Sequence, residues 1–195
     1  MEIKLQKFIN NADCKTPKNV LVIGVIHGDE PQGEFLKNGK RTLKNNLYYI
    51  PRLNFASTRK NKNGVDINRN FPTKNWELTA ADDYFGGHKP NSEEETKFVV
   101  GLMNSVKFDA VVTIHSPYKI VNYDGPAENL ANKISEITGY PVQKDIGYPT
   151  PGSFGTYSGV ERNIPTITIE VDEDVPVEEL YPKFKKLFEF LEGEF

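Results

Sequence analysis

The tetrapeptide His27-Gly28-Asp29-Glu30 ends an apolar run in Val20–Glu34, VLVIGVIHGDEPQGE. An imidazole nitrogen and a carboxylate oxygen are two ligands that zinc accepts. The chain has three histidines, His27, His88 and His115, so a second imidazole ligand has few sources. His115 closes another apolar run, Ala110–Ile114, and Glu170 lies within a third, PTITIEV. Two histidines and a glutamate with one position open form a catalytic zinc set, and a water in the open position has its pKa lowered. Glu170 is the candidate general base. Between Ile169 and Val171 a glutamate is costly unless it has a partner or a task.

These residues need strands that end together. Val20–Ile26 has the length and β-branched content of a buried strand. Leu47–Leu53 reads as a second strand, with Pro51 pointing to an edge or an end. Ala110–Ile114 and Pro165–Val171 are two more, and residues 1–19 offer an edge strand or a loose lead-in. A helix of modest quality, interrupted by Gly33 and Gly39, is expected over Pro31–Lys44. Ser92 and Glu95 have the spacing of a capping box. Behind them Phe98, Val99, Leu102, Met103 and Val106 recur at helical spacing. Pro126–Thr138 presents Leu130, Ala131, Ile134 and Ile137, and Gly139 closes it. The last segment puts Val177, Leu180, Tyr181, Phe184, Leu187, Phe188 and Leu191 on one face, with a start or restart expected at Pro182. Two long segments, Asn54–Phe85 and Gly147–Gly159, lack periodicity and carry polar, Gly and Pro residues. Loops of that size in a compact domain are usually functional. Strands alternating with helices predict an α/β fold with helices on both sheet faces.

Composition narrows the class. A chain of 195 residues with 37% apolar and 26% charged residues is expected to form one soluble domain over residues 1–195. The net charge is −3, and the densest basic stretch, Thr58–Lys62, is too short for a nucleic-acid footprint. No apolar stretch approaches the roughly 20 residues of a membrane span. The polar start MEIKLQKFINNADCK lacks the apolar centre of a signal peptide. Cys14 is the single cysteine, so no internal disulfide forms, and a cytoplasmic location is expected.

The long segment contains Arg59 and then Asp66-Ile67-Asn68-Arg69-Asn70-Phe71-Pro72. With HxxE before it, and a strand-ending His115-Ser116 and the strand glutamate Glu170 after it, the order resembles the signature of the zinc carboxypeptidase family. The likeness runs from about Val20 to Val171. In GVDINRNFPTKNW (Gly64–Trp76) and GYPTPGSFGTY (Gly147–Tyr157) it is similar to the branch of that family that cleaves murein peptides. The resemblance implies a central mixed sheet flanked by helices, one zinc ion on His27, Glu30 and His115, and Glu170 as the base. It implies that Arg59 holds the oxyanion and that Asn68 and Arg69 bind the substrate carboxylate. Asp66 would orient a zinc histidine, Ser116 would contact substrate, and Tyr148 would cap it. The implied substrate is the γ-D-glutamyl–meso-diaminopimelate bond of a murein tripeptide or related muropeptide, with Ser153, Gly155, Thr156 and Tyr157 lining the side-chain pocket. Many members carry Asn-Pro-Asp-Gly where this chain has Asn54-Phe55-Ala56-Ser57, a departure in a loop-shaping segment. Two other readings stay open at this level: an acyl-amino-acid hydrolase with an HGxEPxG start, and a non-catalytic muropeptide-binding or cell-shape protein.

Overall fold

The apolar run at Val20 forms the middle of a sheet in the computed structural model, which describes residues 2–34 and 43–195. The strands are Gln6–Phe8 (β1), Asn19–Val25 (β2), Asn46–Arg52 (β3), Ala110–His115 (β4), Ile120–Asp124 (β5) and Thr166–Glu170 (β6). Their order is β1-β3-β2-β4-β6-β5. The inner four are mutually parallel, and β1 and β5 close the two edges antiparallel. Strands covered on both faces need apolar residues at every position. That is why β2 and β4 read as unbroken apolar runs, with Val20, Leu21, Val22, Ile23, Val111 and Val112 fully buried.

Helices Glu94–Ser105 (α1), Glu128–Thr138 (α2) and Val177–Gly193 (α3) cover the sheet. On one face Ile134 of α2 and Phe184, Leu187 and Phe188 of α3 meet Val20, Val112 and Ile167. On the other, Val99, Leu102 and Met103 of α1 meet Leu21, Ile23 and Val111, together with Ile67, Phe71, Phe154 and Tyr157 from the aperiodic segments. Each such side chain, fully buried, stabilises by about 1.5–3 kcal/mol. Among the described residues no helix is long and apolar enough to cross a membrane.

Buried asparagines hold the long segment after β3. Asn70 donates from Nδ2 to the carbonyls of Gly86 (2.7 Å) and Lys89 (3.0 Å) and to Ser92 Oγ (3.0 Å). Its Oδ1 accepts from Thr96 Oγ1 (2.7 Å) and from the Glu93 amide (3.2 Å). Asn61 bridges Glu93 and Glu95 in the same way, at 2.9 and 3.1 Å. Side chains thus replace the missing backbone ladder.

Those bonds also correct the expected capping box. Helix α1 begins after Glu93, which makes no side-chain cap, because Asn70 engages Ser92 and Asn61 engages Glu95. Pro182 does not restart α3, which runs unbroken through it. Pro182 and Glu178 are both exposed, so water can satisfy the carbonyl that the missing N–H leaves free. Strand β3 is an inner strand. Pro51 is tolerated in it because β1 pairs only up to Tyr49. Of the helix expected over Pro31–Lys44, Pro31–Gly33 forms a single tight turn, and residues 35–42 lie outside the described residues. The Gly147–Gly159 segment is not wholly irregular, since it ends in a wide helical turn over Thr156–Val160. Strand β5 was not expected: it alternates core-facing Val121 and Tyr123 with polar Asn122 and Asp124 over only five residues.

Candidate active site

Three parallel strands deliver the polar residues at their carboxyl ends, where open α/β sheets bind ligands. His27 follows β2, His115 ends β4, and Glu170 ends β6 directly beside it in the register. The turn that carries Glu30 is closed by its amide on the His27 carbonyl (3.2 Å). Gly28 is required there. Its amide donates to the Thr58 carbonyl at 3.0 Å, and a Cβ would run into the carbonyl of Ala56.

His27 Nδ1 stands 2.8 Å from Glu30 Oε1, His115 Nδ1 stands 2.9 Å from Glu30 Oε2, and the two Nδ1 atoms are 3.3 Å apart. Ligands of a tetrahedral zinc ion, each at about 2.0–2.1 Å, lie about 3.3 Å from one another. Two imidazole nitrogens facing each other at that distance, with a carboxylate against both, fit a divalent cation. These three residues form the set among the described residues that brings metal-binding atoms together. Burial holds His115 below its ordinary pKa, and a neutral imidazole is the form that ligates. Burial works against charge on His27, but hydrogen bonds to the Asp66 and Glu30 carboxylates raise its pKa to about 9. Against the same cost of burial, His115 and His27 keep Glu30 well below the usual carboxylate range.

Asp66, fully buried, joins the metal set to the arginines. Its Oδ1 takes His27 Nε2 (3.1 Å) and the Asn68 amide (2.8 Å), and its Oδ2 takes Arg59 Nε (3.0 Å). Despite burial, His27 and Arg59 lower its pKa to about 2. Arg59 and Arg69 both approach the ring of Tyr84, at 5.0 and 5.6 Å from its centre. The Phe154 amide donates to Asn68 Oδ1 (2.9 Å), which leaves the Asn68 Nδ2 as a donor. Burial and then the negative charge of Glu30 push the Glu170 carboxyl up to about 8, and its Oε2 has no hydrogen-bond partner among the described residues.

One cavity of about 270 Å³ is lined by His27, Glu30, Arg59, Asn68, Arg69, His115, Ser116, Tyr148, Ser153, Gly155 and Glu170. Tyr148 is 41% exposed at its rim, its phenol pushed up to about 12 by burial and by a hydrogen bond with Tyr118. Thr156 does not line the cavity. Its hydroxyl and amide face Ser153 Oγ, at 3.0 and 3.1 Å. Tyr157 does not line the cavity either: it is fully buried against Phe71 and Phe154, with ring centres 5.6 and 6.4 Å away. His88 is exposed, with its ring against Phe85, and lies outside the cavity. Sequence reasoning missed Tyr84, Tyr118, Asn122, Asp124 and Thr168, all of which line it. Alternation along β6 could have found Thr168, which shares a sheet face with Glu170.

Comparison with known proteins follows the same lines. Residues 51–133 match the zinc carboxypeptidase family model. Murein peptide amidase A of Vibrio campbellii (strain ATCC BAA-1116) is 32% identical over 91% of this chain and 80% of its own length. The enzyme of that name from Escherichia coli (strain K12) is 34% identical over 82% of this chain and 73% of its own. The crystal structure of murein-tripeptide amidase from Escherichia coli O157 superposes with a TM-score of 0.78 and 26% identity, covering 95% of this chain and 85% of that one.

Proposed function

The chain belongs to the zinc carboxypeptidase family, and from that premise we propose that it hydrolyses the amide bond between γ-D-glutamate and meso-diaminopimelate in murein peptides. His27, Glu30 and His115 would hold one zinc ion. The observation that carries the reading is the convergence of their three ligand atoms beside the unpartnered oxygen of Glu170. Zinc, when bound, polarises a carbonyl and acidifies water.

The chain's own residues do the rest. Glu170 takes a proton from the attacking water and returns it to the leaving nitrogen. A carboxyl raised toward neutrality suits both halves of that task. Arg59, fixed by Asp66, faces the oxygen on which negative charge develops, and a preorganised cation there favours the transition state over the ground state. Arg69 and the Asn68 Nδ2 bind the free carboxylate beyond the scissile bond, where a guanidinium can pair bidentately. Asp66 holds a proton on His27 Nε2 and so turns Nδ1 toward the metal. Ser116 and Ser153 offer hydroxyls to the bound peptide, and Tyr148 closes over it. With a single cysteine, the chain suits a reducing compartment such as the cytoplasm.

The test is direct. Purified protein with one equivalent of zinc is given L-Ala-γ-D-Glu-meso-diaminopimelate and a panel of N-acyl amino acids, and products are read by mass spectrometry. Release of diaminopimelate supports the reading. An intact tripeptide in the presence of bound zinc overturns it.

A further inference from the structure

The sheet face that carries Glu170 continues onto the unexpected edge strand. In the β5–β6 register Ile120 lies opposite Glu170, Asn122 opposite Thr168 and Asp124 opposite Thr166. Residues opposite one another share a face, so Glu170, Thr168, Asn122 and Asp124 form one diagonal along the cavity wall. Asp124 stands four strand residues beyond Ile120, about 13 Å along the sheet. No arginine acts on its ionisation.

Its carboxylate is unusual. It is partly buried, lines the cavity, and has no hydrogen bond or ion pair among the described residues. Burial alone acts on its ionisation and raises it, with no cation to oppose the shift. Backbone is cleared for it on both sides, since a Cβ at Gly155 would strike Oδ2 and one at Gly159 would strike the Asp124 Cβ. Asn122 has its Nδ2 committed to the Gln143 and Lys144 carbonyls, at 2.8 and 3.0 Å, which leaves Oδ1 as an acceptor. The wall therefore offers oxygen acceptors and an uncompensated negative charge. A buried charge is stable only when paired.

We propose that Asp124 is a specificity-determining residue whose carboxylate pairs with an ammonium group on the side chain of the residue released, making the enzyme selective for diamino acids. The inference deepens the proposed function and rests on it. Arg69 and Asn68 take the carboxylate of the leaving residue, and Asp124 takes the amino group at the far end of its side chain. A side chain of five bonds, each about 1.5 Å, extends roughly 6 Å from its Cα. Asp124 and Glu170 line the same cavity, along which such a side chain would run.

The experiment compares zinc-loaded wild type with Asp124→Asn and Asp124→Ser on two peptides. One ends in γ-D-Glu-L-lysine and the other in γ-D-Glu-L-norleucine, which differ chiefly in the terminal charge. The ratio of kcat/KM for lysine over norleucine is expected to fall about 10- to 100-fold in both variants, the range of a charge-assisted hydrogen bond. Circular dichroism confirms folding. A ratio unchanged within twofold, or equal losses on both peptides, overturns the assignment. If the wild type cleaves neither peptide and also leaves L-Ala-γ-D-Glu-meso-diaminopimelate intact, the proposed function is what has failed. Calorimetric binding of free meso-diaminopimelate then decides Asp124 separately. Binding weakened by Asp124→Asn supports its role, and equal binding removes it.

Discussion

Asp66 Oδ1 lies 3.1 Å from Nε2 of His27, and this one contact decides which imidazole nitrogen faces Glu30 and His115. The same carboxylate anchors Arg59 through its other oxygen. Asp66→Asn keeps the shape but removes the charge that both partners use. Zinc affinity, measured by chelator competition, should fall about 10- to 100-fold, as expected when the outer partner of a ligating histidine is lost. Unchanged affinity would mean that Glu30 alone orients His27.

Glu170→Gln separates metal binding from proton transfer. Elemental analysis should still find zinc, because Glu170 is not among the converging ligand atoms. Hydrolysis should fall by about 10²–10⁴-fold, the usual contribution of a positioned general base. Activity near wild type would remove Glu170 from the mechanism.

The metal-free protein should lose stability as pH rises above neutrality. His27 is raised from 6.5 to about 9 and Glu170 from 4.5 to about 8. Each binds more protons folded than unfolded, so each contribution is full below the lower value and gone above the higher one. His115, held below 6.5, opposes them by adding stability as pH rises toward that value, so with chelator present the melting temperature should decline from pH 7 to pH 9, where His27 and Glu170 titrate. Asp66, lowered from 3.8 to about 2, acts in the opposite direction and only in acid, where its contribution is lost as pH falls. A melting temperature that rises from pH 7 to 9 would contradict this balance.

Arg69→Lys tests carboxylate recognition. The guanidinium is held by its own NH1 bond to the Asn68 carbonyl at 2.8 Å and by the nearby Tyr84 ring. A lysine keeps the charge but loses the planar fork. KM should rise about tenfold or more with a smaller change in kcat, and a substrate with its terminal carboxylate amidated should be insensitive to the substitution. Equal losses on both substrates would place Arg69 elsewhere in the mechanism.

Asn70→Ala probes the loop itself. Asn70 is fully buried, and its side chain makes five hydrogen bonds to the Gly86–Thr96 region. At a net of about 0.5–1.5 kcal/mol each, removing all five should cost roughly 2.5–7.5 kcal/mol in a denaturant titration. A loss under about 1 kcal/mol would show that the loop is held by its apolar anchors Ile67 and Phe71 instead.

The inner strands were legible in the sequence because burial on both faces writes itself as unbroken apolar runs, as in Val20–Ile26 and Ala110–Ile114. The residues that end them, His27, His115 and Glu170, stood out as polar groups at apolar boundaries. Capping went wrong at Ser92 because the competing partners, Asn61 and Asn70, come from another part of the chain, and local spacing carries no trace of them. Thr156 went wrong for a related reason. The wide helical turn that points it toward Ser153 is not visible as periodicity. Asp124 escaped notice because its significance lies in a cross-strand register and in the two glycines beside it.

The position of β6 has a temporal consequence. It is the last strand in sequence, yet it lies between β4 and β5 in the sheet. A chain emerging from the ribosome has His27, Glu30 and His115 long before it has Glu170. Until β6 is made, β4 and β5 lack the strand that joins them, and the wall carrying Asp124 has nothing to hold it beside the metal residues. The three metal-capable residues thus precede β6 in the sequence, whereas the proposed base and the wall carrying Asp124 are brought beside them by that single late strand.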